Sequence, residues 1–502
     1  MKHGFAESTH GADVHLRRQF LLTPQPVQPF FGWNSRKTRH SYVHHHPDLL
    51  VTQGSTNETV VTLIGFAIDP NNLLATDQRI VARLAESATE LESVLGVAAQ
   101  MGGRWALLVE HDNFDILLHD ACGLRQVFYS DDTHRVAFCA SQATTAAKVH
   151  DIVEDPEAAE GFLRTRFALT NPEFWWPGDS TQFRGVRCLL PNHYLDLRTR
   201  QAHRYGLGKK TGRKSLGYAA KHGAEILAAL MRGAAARYPL LALPITAGWD
   251  SRALLAACRH IGAAPYCYTL RWGALGVTHQ DIAIPARLLG SLQWDHHIID
   301  CSALAGSDFI TLYKSNTDPA HDEACSLAYG LSRGYPEGYI SLSGHCSEVA
   351  RCFYHSSPFT GPIVPETLAK ITQMDATPFV LSHFRRWLEG ALATAEQSGI
   401  SLLDLFYWEQ RVGRWAANGQ AQWDLVHERF TAFNSRPLLL TLLSAQERHR
   451  RPAYALYRRM IQRLAPEVLR EPINPDAVSK VWKRNIPRAI MRRLRAALSL
   501  RV

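Results

Sequence analysis

The chain has 502 residues, 46% hydrophobic, 20% charged and 10% aromatic, a balance that excludes an intrinsically disordered protein. Its formal charge is +9, but residues 447–502 hold 15 Lys/Arg against 4 Asp/Glu, a local +11 that leaves −2 for the rest. The basicity of the whole is therefore no argument for a nucleic-acid partner, and no run of about 20 apolar residues marks a membrane span.

The N-terminus lacks the apolar stretch of a secretory signal. The nine cysteines include no Cys-x-x-Cys pair and lie mostly in apolar runs, the pattern of buried free thiols in a reduced, cytoplasmic protein. His44, His45 and His46 are expected in a solvated loop rather than at a metal.

In chain order, residues 60–68 form an apolar run bounded by Asn57 and Asp69-Pro70, and predict a buried strand. Residues 104–109 and 114–119 flank His111-Asp112-Asn113 as a hairpin would. Residues 127–129 and 136–139 continue the pattern, so an antiparallel meander is predicted. The polar, Gly/Lys-rich stretch 201–215 is the expected linker.

Beyond it the pattern changes. Ile226, Leu227, Leu230 and Met231 have helical spacing within 218–237. A strand at 238–246, a helix at 251–258, a strand at 266–270, a helix at 281–289 and a strand at 296–299 follow. That alternation predicts a parallel α/β sheet. After Pro365 the chain is expected to be mostly helical.

Chemistry concentrates at the first strand-to-helix turn, Thr246-Ala247-Gly248-Trp249-Asp250-Ser251. Small and hydroxyl residues at a helix start present backbone N–H groups to an anion such as phosphate. Asp250 would repel phosphate unless a cation lies between, which points to Mg²⁺. The local pattern alone fits a structural helix cap equally well.

The stretch resembles the Ser-Gly-Gly-x-Asp-Ser pyrophosphate loop of asparagine-synthetase-like enzymes, within the wider PP-loop ATP pyrophosphatase group, with Ala247 in place of the first Gly. Tyr268, Thr269 and Leu270 look like that family's second strand, whose backbone contacts adenine. Residues 340–348 resemble its second signature, a strand ending in Gly-Asp-Gly-Ala-Asp-Glu. Ser343 and Gly344 then fall at the nucleotide, and Glu348 matches an acid that binds Mg²⁺-pyrophosphate. His345 replaces an Asp and Cys346 a Gly. Gly103-Arg104-Trp105, Asp120 through Tyr129, and 185–195 resemble the family's glutaminase-like domain. Residues 404–411 and 433–439 resemble its helical part.

The resemblance implies an α/β protein. A glutaminase-like, Ntn-type, antiparallel β-rich α+β domain (1–205) would precede a parallel-sheet PP-loop synthetase domain of the adenine nucleotide α-hydrolase type (215–475), with a helical C-terminal part and a basic C-terminal segment (476–502). Family glutaminases use a Cys as the first residue after Met removal, with its α-amine as general base. Here position 2 is Lys2, so that route is expected to be absent. The same loss occurs in β-lactam synthetase and lasso-peptide cyclases, which have a similar layout.

The resemblance thus implies an amide-forming ligase that adenylates a carboxylate of a small molecule or peptide, using ATP and Mg²⁺, and condenses it with an amine or ammonia from elsewhere. The metal would sit on Asp250 and Glu348. The family's catalytic Lys has two candidates by position, Lys480 and Lys483, in surroundings that match poorly. Asp318, His321, Asp322 and Glu323 lie where a substrate pocket is expected. Apolar Ile490, Met491, Leu494, Ala497 and Leu498 among arginines predict a basic terminal helix, packed on the body or docking on a membrane or partner. An RNA-modifying PP-loop enzyme and a catalytically degenerate scaffold are the alternatives.

Overall fold

The structure is a computed structural model that describes residues 14–209, 212–273, 275–317, 322–356 and 361–475. Its N-terminal strands are β1 (Phe20–Thr23), β2 (Asn34–Lys37), β3 (Tyr42–His45), β4 (Val51–Ser55), β5 (Thr59–Ile68), β6 (Gly102–His111), β7 (Asp115–His119), β8 (Phe128–Ser130), β9 (Cys139–Ala140), β10 (Val186–Cys188), β11 (His193–Asp196) and β12 (Gln201–Arg204). They form two antiparallel sheets, ordered β10-β8-β9-β1-β3-β2 and β12-β11-β7-β6-β5-β4.

Alternation along the strands explains why the two sheets stack. On β6, Ala106 and Leu108 face the other sheet and pack with Phe20, Leu22, Val43 and Val127. Leu107 and Val109, between and beyond them, face the opposite way, onto Ile80, Val81 and Leu84 of helix Asp77–Ser87. The outer face of the first sheet, with Leu21, Phe128 and Val186, is covered by Ala143, Ala146 and Ala147 of helix Ala143–His150. The result is an α/β/β/α sandwich, which fits the antiparallel, β-rich α+β arrangement expected of the N-terminal part.

Five parallel strands follow: β13 (Leu241–Pro244), β14 (Tyr266–Arg271), β15 (His297–Asp300), β16 (Ile340–Ser343) and β17 (Arg429–Thr431), in the order β15-β14-β13-β16-β17. Helices Leu216–Arg237, Trp249–Ile261 and Gln280–Ser291 lie where the sequence places them. The chain leaves β13 toward β14 and β15, then returns to build β16 and β17 on the other side. The strand order therefore reverses between β13 and β16, and the crevice at their carboxyl ends is where open α/β sheets bind ligands. The expected fold class holds: antiparallel sandwich, then parallel α/β sheet, then a largely helical C-terminal part.

Three expectations are corrected. The meander is real for β4 to β7, but β8 and β9 belong to the other sheet, and Val136 lies outside both strands. The linker is shorter than expected, because Gln201–Arg204 pairs with β11. His44, His45 and His46 are buried rather than solvated: His44 and His45 lie in β3, between β1 and β2, and burial holds the pKa of both below the usual imidazole range. His44 Nε2 lies 3.0 Å from Thr23 Oγ1, and His46 Nδ1 accepts from Asp48 N–H at 3.0 Å.

Buried polar contacts join the sandwich to the C-terminal helices. Arg104 donates to Asp424 Oδ2 at 2.7 Å and to Glu428 Oε1 at 3.3 Å. Asn434 accepts from Cys122 N–H at 2.9 Å and donates to Gly103 O at 2.7 Å. Asp120 shapes the intervening turn by accepting from the N–H groups of Trp105, Leu124 and Arg125. The run around Gly103 and Asp120 thus bonds the sandwich to the C-terminal part.

Candidate nucleotide site

The turn after β13 is built by its own small residues. Thr246 N–H donates to Ser251 Oγ at 3.2 Å, and Gly248 N–H donates to Thr246 Oγ1 at 3.2 Å. Gly248 is the N-cap of helix Trp249–Ile261 and has no side chain to cap it. The first-turn N–H groups of Trp249, Asp250 and Ser251 have no intrahelical acceptor, and the positive end of the helix dipole faces the same way. Thr246 is exposed, whereas Ala247, Trp249 and Ser251 are buried.

The second signature closes over this turn. Ser343 ends β16, and its hydroxyl accepts from His345 N–H at 3.3 Å. A Cβ at Gly344 would lie 2.7 Å from Asp250 Cβ and 3.2 Å from the Asp250 carbonyl carbon, so only glycine allows the two segments to touch. Ser347 donates its hydroxyl proton to Asp250 Oδ1. Cys346 has φ +72°, a left-handed conformation that favours glycine, which is the residue the resemblance expects there.

Asp250 and Glu348 come together around a residue the sequence did not single out. Arg351 Nη1 lies 3.2 Å from Asp250 Oδ1, and its Nη2 lies 3.4 Å from Glu348 Oε1. Burial pushes the Asp250 carboxyl above its usual range; Arg351 opposes the shift and Glu348 adds to it. Burial disfavours the charge on Arg351, but Asp250 and Glu348 outweigh it and raise its pKa. Two carboxylates sharing one positive centre supply the oxygen-only donors that Mg²⁺ prefers, so the residues fit that ion. The guanidinium already stands between them. Arg351 was legible only as the i+3 neighbour of Glu348.

Asp281, expected only as part of the helix after the second strand, also reaches the turn from the start of helix Gln280–Ser291. Its Oδ1 accepts from Ala247 N–H at 3.0 Å, so a carboxylate holds one amide of the anion turn. The other predicted residues take structural partners. Tyr268 is buried, with its hydroxyl 3.2 Å from Ser341 Oγ and its ring edge-on to Tyr335. Thr269 donates to Ile245 O at 2.6 Å and lies 2.8 Å from His296 Nε2. Leu270 is half-buried on β14.

The far end of the described chain returns to the same turn. Arg252, fully buried, donates to the carbonyls of Val468, Glu471 and Pro472, and Asn474 N–H donates to Ala247 O at 3.0 Å. Lys480 and Lys483 follow in sequence but lie outside the described residues, as do the basic terminal helix, Asp318, His321 and the side chains of Asp322 and Glu323.

All nine cysteines are free and buried, and burial raises the thiol pKa of Cys139, Cys188, Cys258, Cys267, Cys301, Cys346 and Cys352. No helix among the described residues is long and apolar enough to cross a membrane. A cavity of about 160 Å³ lies in the N-terminal sandwich, between Leu22, Glu110, Phe138 and Arg198, and takes in none of the turn residues.

No protein-family model matches the chain, and no curated protein sequence is detectably similar to it. Among solved structures, it is similar to an allosteric regulatory enzyme of purine biosynthesis at 11% identity and TM-score 0.26, over 63% of this chain and 89% of that one. It is similar to a glutamine phosphoribosylpyrophosphate amidotransferase from B. subtilis, solved with ADP and GMP, at 12% identity and TM-score 0.24, over 63% and 90%. A glutamine-dependent NAD⁺ synthetase from Acinetobacter baumannii, solved with ADP, aligns at 15% identity and TM-score 0.21, over 44% of this chain and 49% of that one. At such scores the architecture stands on the sheet order and layering above, not on these neighbours.

Proposed function

We propose that this chain is an ATP-dependent amide-forming ligase of the asparagine-synthetase type. It would adenylate a carboxylate and pass the acyl group to an amine or ammonia that its own N-terminal sandwich does not generate. The observation that carries the proposal is the convergence of the turn after β13 with the segment after β16, at the point where the strand order reverses. Gly344 packs onto Asp250, and Asp250 and Glu348 face one cationic centre.

In this scheme the substrate carboxylate attacks the α-phosphorus of ATP, and pyrophosphate leaves into the turn 246–251. The N–H groups of the first helical turn and the hydroxyls of Thr246 and Ser251 face the leaving oxygens. Arg351 supplies positive charge from the opposite wall. Mg²⁺ held by Asp250 and Glu348 would neutralise the phosphate charge that these carboxylates otherwise repel. Asp281 would hold Ala247 N–H until a phosphate oxygen displaces it. Lys480 or Lys483 would complete the site from residues 476–502, because Asn474 is already bonded to the turn.

The proposal divides the chain at 1–205, 215–475 and 476–502 and places it in the cytoplasm. Its partners would be a carboxylate-bearing small molecule or peptide and an amine donor, with no nucleic acid. The basic terminal segment would dock on the body or on an anionic surface. One observation favours a second reading, a degenerate scaffold: Arg351 and Asp281 already satisfy the charges and one amide of the site. ATP–pyrophosphate exchange with a pool of amino acids and small carboxylic acids separates the two. The ligase gives exchange that Asp250→Ala abolishes, and the scaffold gives none.

A further inference from the structure

A second cluster of metal-type side chains lies just beyond the nucleotide site and has no part in the proposed reaction. Cys352, His355 and Asp404 each offer one ligand atom, and these atoms lie within 4.8 Å of one another. Tetrahedral zinc with bonds of about 2.0–2.3 Å needs ligand separations of roughly 3.3–3.8 Å. His355 Nε2 and Asp404 Oδ1 already stand 3.3 Å apart. The remaining closure is a side-chain adjustment of about 1 Å.

We propose that Cys352, His355 and Asp404 bind one divalent transition-metal ion of the zinc class. The ion pins the segment that follows Glu348 and Arg351 to helices Leu402–Phe406 and Glu447–Arg450. The surroundings match what a metal-bound imidazole and carboxylate need. His355 Nδ1 lies 3.3 Å from Glu447 Oε2, so a ring bound through Nε2 donates its other N–H to a carboxylate and is fixed in tautomer and orientation. Asp404 uses one oxygen toward the cluster, and its Oδ2 accepts from Arg450 Nη2 at 2.8 Å. Arg451 donates to the carbonyls of Cys352 and Phe353, both at 3.2 Å, and holds Cys352 at its left-handed φ of +54°. Ser401 Oγ, 3.4 Å from His355 Nε2, or a water is placed to fill the fourth position.

The Cys352 thiolate and the Asp404 carboxylate cancel the two charges of the ion, Glu447 offsets Arg450, and Arg451 at the Cys352 carbonyl leaves one positive charge beside the thiolate. Binding releases the thiol proton, and any proton on His355 Nε2, to solvent. Cys352 and Asp404 are buried, while His355 and Glu447 are half-buried at the edge of the cluster. Zinc, rather than Mg²⁺ or Ca²⁺, follows from the thiolate and imidazole donors.

The test uses the full chain, stripped with a chelator and titrated with Zn²⁺ against a chromophoric competitor, then loaded with Co²⁺. The expected result is one Zn²⁺ per chain and a thiolate-to-cobalt charge-transfer band, both lost in Cys352→Ser. Glu447→Gln, which leaves all three ligands in place, is expected to weaken Zn²⁺ binding by about 10–100-fold. Failure of the folded, unmodified protein to bind stoichiometric Zn²⁺ overturns the proposal. So does a cobalt spectrum without the thiolate band, or a Glu447→Gln protein with unchanged affinity. These readouts hold even where Cys352→Ser does not fold, and none depends on ATP turnover.

Discussion

Substituting Gly344 by alanine tests the contact on which the nucleotide site depends. The added Cβ would meet Asp250 Cβ at 2.7 Å and the Asp250 carbonyl carbon at 3.2 Å. Carbon atoms pack best at about 3.5–4.0 Å, so the first contact falls short by roughly 1 Å. Neither obstructing atom is the end of a flexible side chain, so the backbone must move. Overpacking of this kind costs about 1–3 kcal/mol. A displacement of about 1 Å between groups that act on one substrate costs about 10²-fold in rate. Gly344→Ala should therefore lower the thermal unfolding midpoint and cut ATP–pyrophosphate exchange by roughly two orders of magnitude. Gly276→Ala, where nothing lies within 4 Å of the new Cβ, is the control and should change neither. A Gly344→Ala protein with normal stability and normal exchange would refute the argument that these two segments must touch.

Arg351→Met should destabilise the protein, because it leaves Asp250 and Glu348 facing each other without a cation, and added Mg²⁺ should raise its melting temperature more than that of the unmodified protein. Equal Mg²⁺ shifts would show that the two carboxylates do not form a cation site. Arg104→Met leaves Asp424 buried without its main partner and should cost about 3–5 kcal/mol in urea unfolding. His427 is buried beside Arg429, and burial first, then that charge, holds its imidazole well below the usual range. The unfolded chain therefore takes up a proton that the folded one refuses. His427's share of stability is intact above about pH 6.5 and is lost as the pH falls from there toward the folded pKa. His427→Phe should flatten that limb of the stability–pH profile, and an unchanged slope would count against a neutral buried His427.

How much of this was legible in the sequence depended on the length and symmetry of each signal. Residues 59–68 and 216–237 are long and strongly patterned, and strand and helix appear where the pattern predicts. The turn 246–251 was legible as a strand-to-helix turn because small residues separate an apolar strand from an apolar helix, although that pattern alone fits a structural cap equally well. Strand β17 was not, since Arg429-Phe430-Thr431 is too short to carry a period and gains its place from pairing with β16. His44, His45 and His46 read as polar and therefore solvated, but partners such as Thr23 and Asp48 N–H allow them inside. Arg351 and Asp281 were hidden for a different reason. Their roles come from atoms far away in sequence, Asp250 and Ala247, and an Arg three residues after a Glu, or an Asp in a first helical turn, looks like surface charge. The Cys352, His355 and Asp404 cluster was hidden too, because no Cys-x-x-Cys spacing marks it and Asp404 lies some fifty residues beyond Cys352.

The central claim is that a carboxylate is activated by adenylation at the turn 246–251. The most direct measurement supplies a pool of ¹⁸O-labelled carboxylic acids with ATP and an amine, then weighs the nucleotide product. Adenylation predicts AMP carrying one ¹⁸O from the carboxylate, and no such AMP from Asp250→Ala. Unlabelled AMP, or ADP with the label in inorganic phosphate, would contradict it.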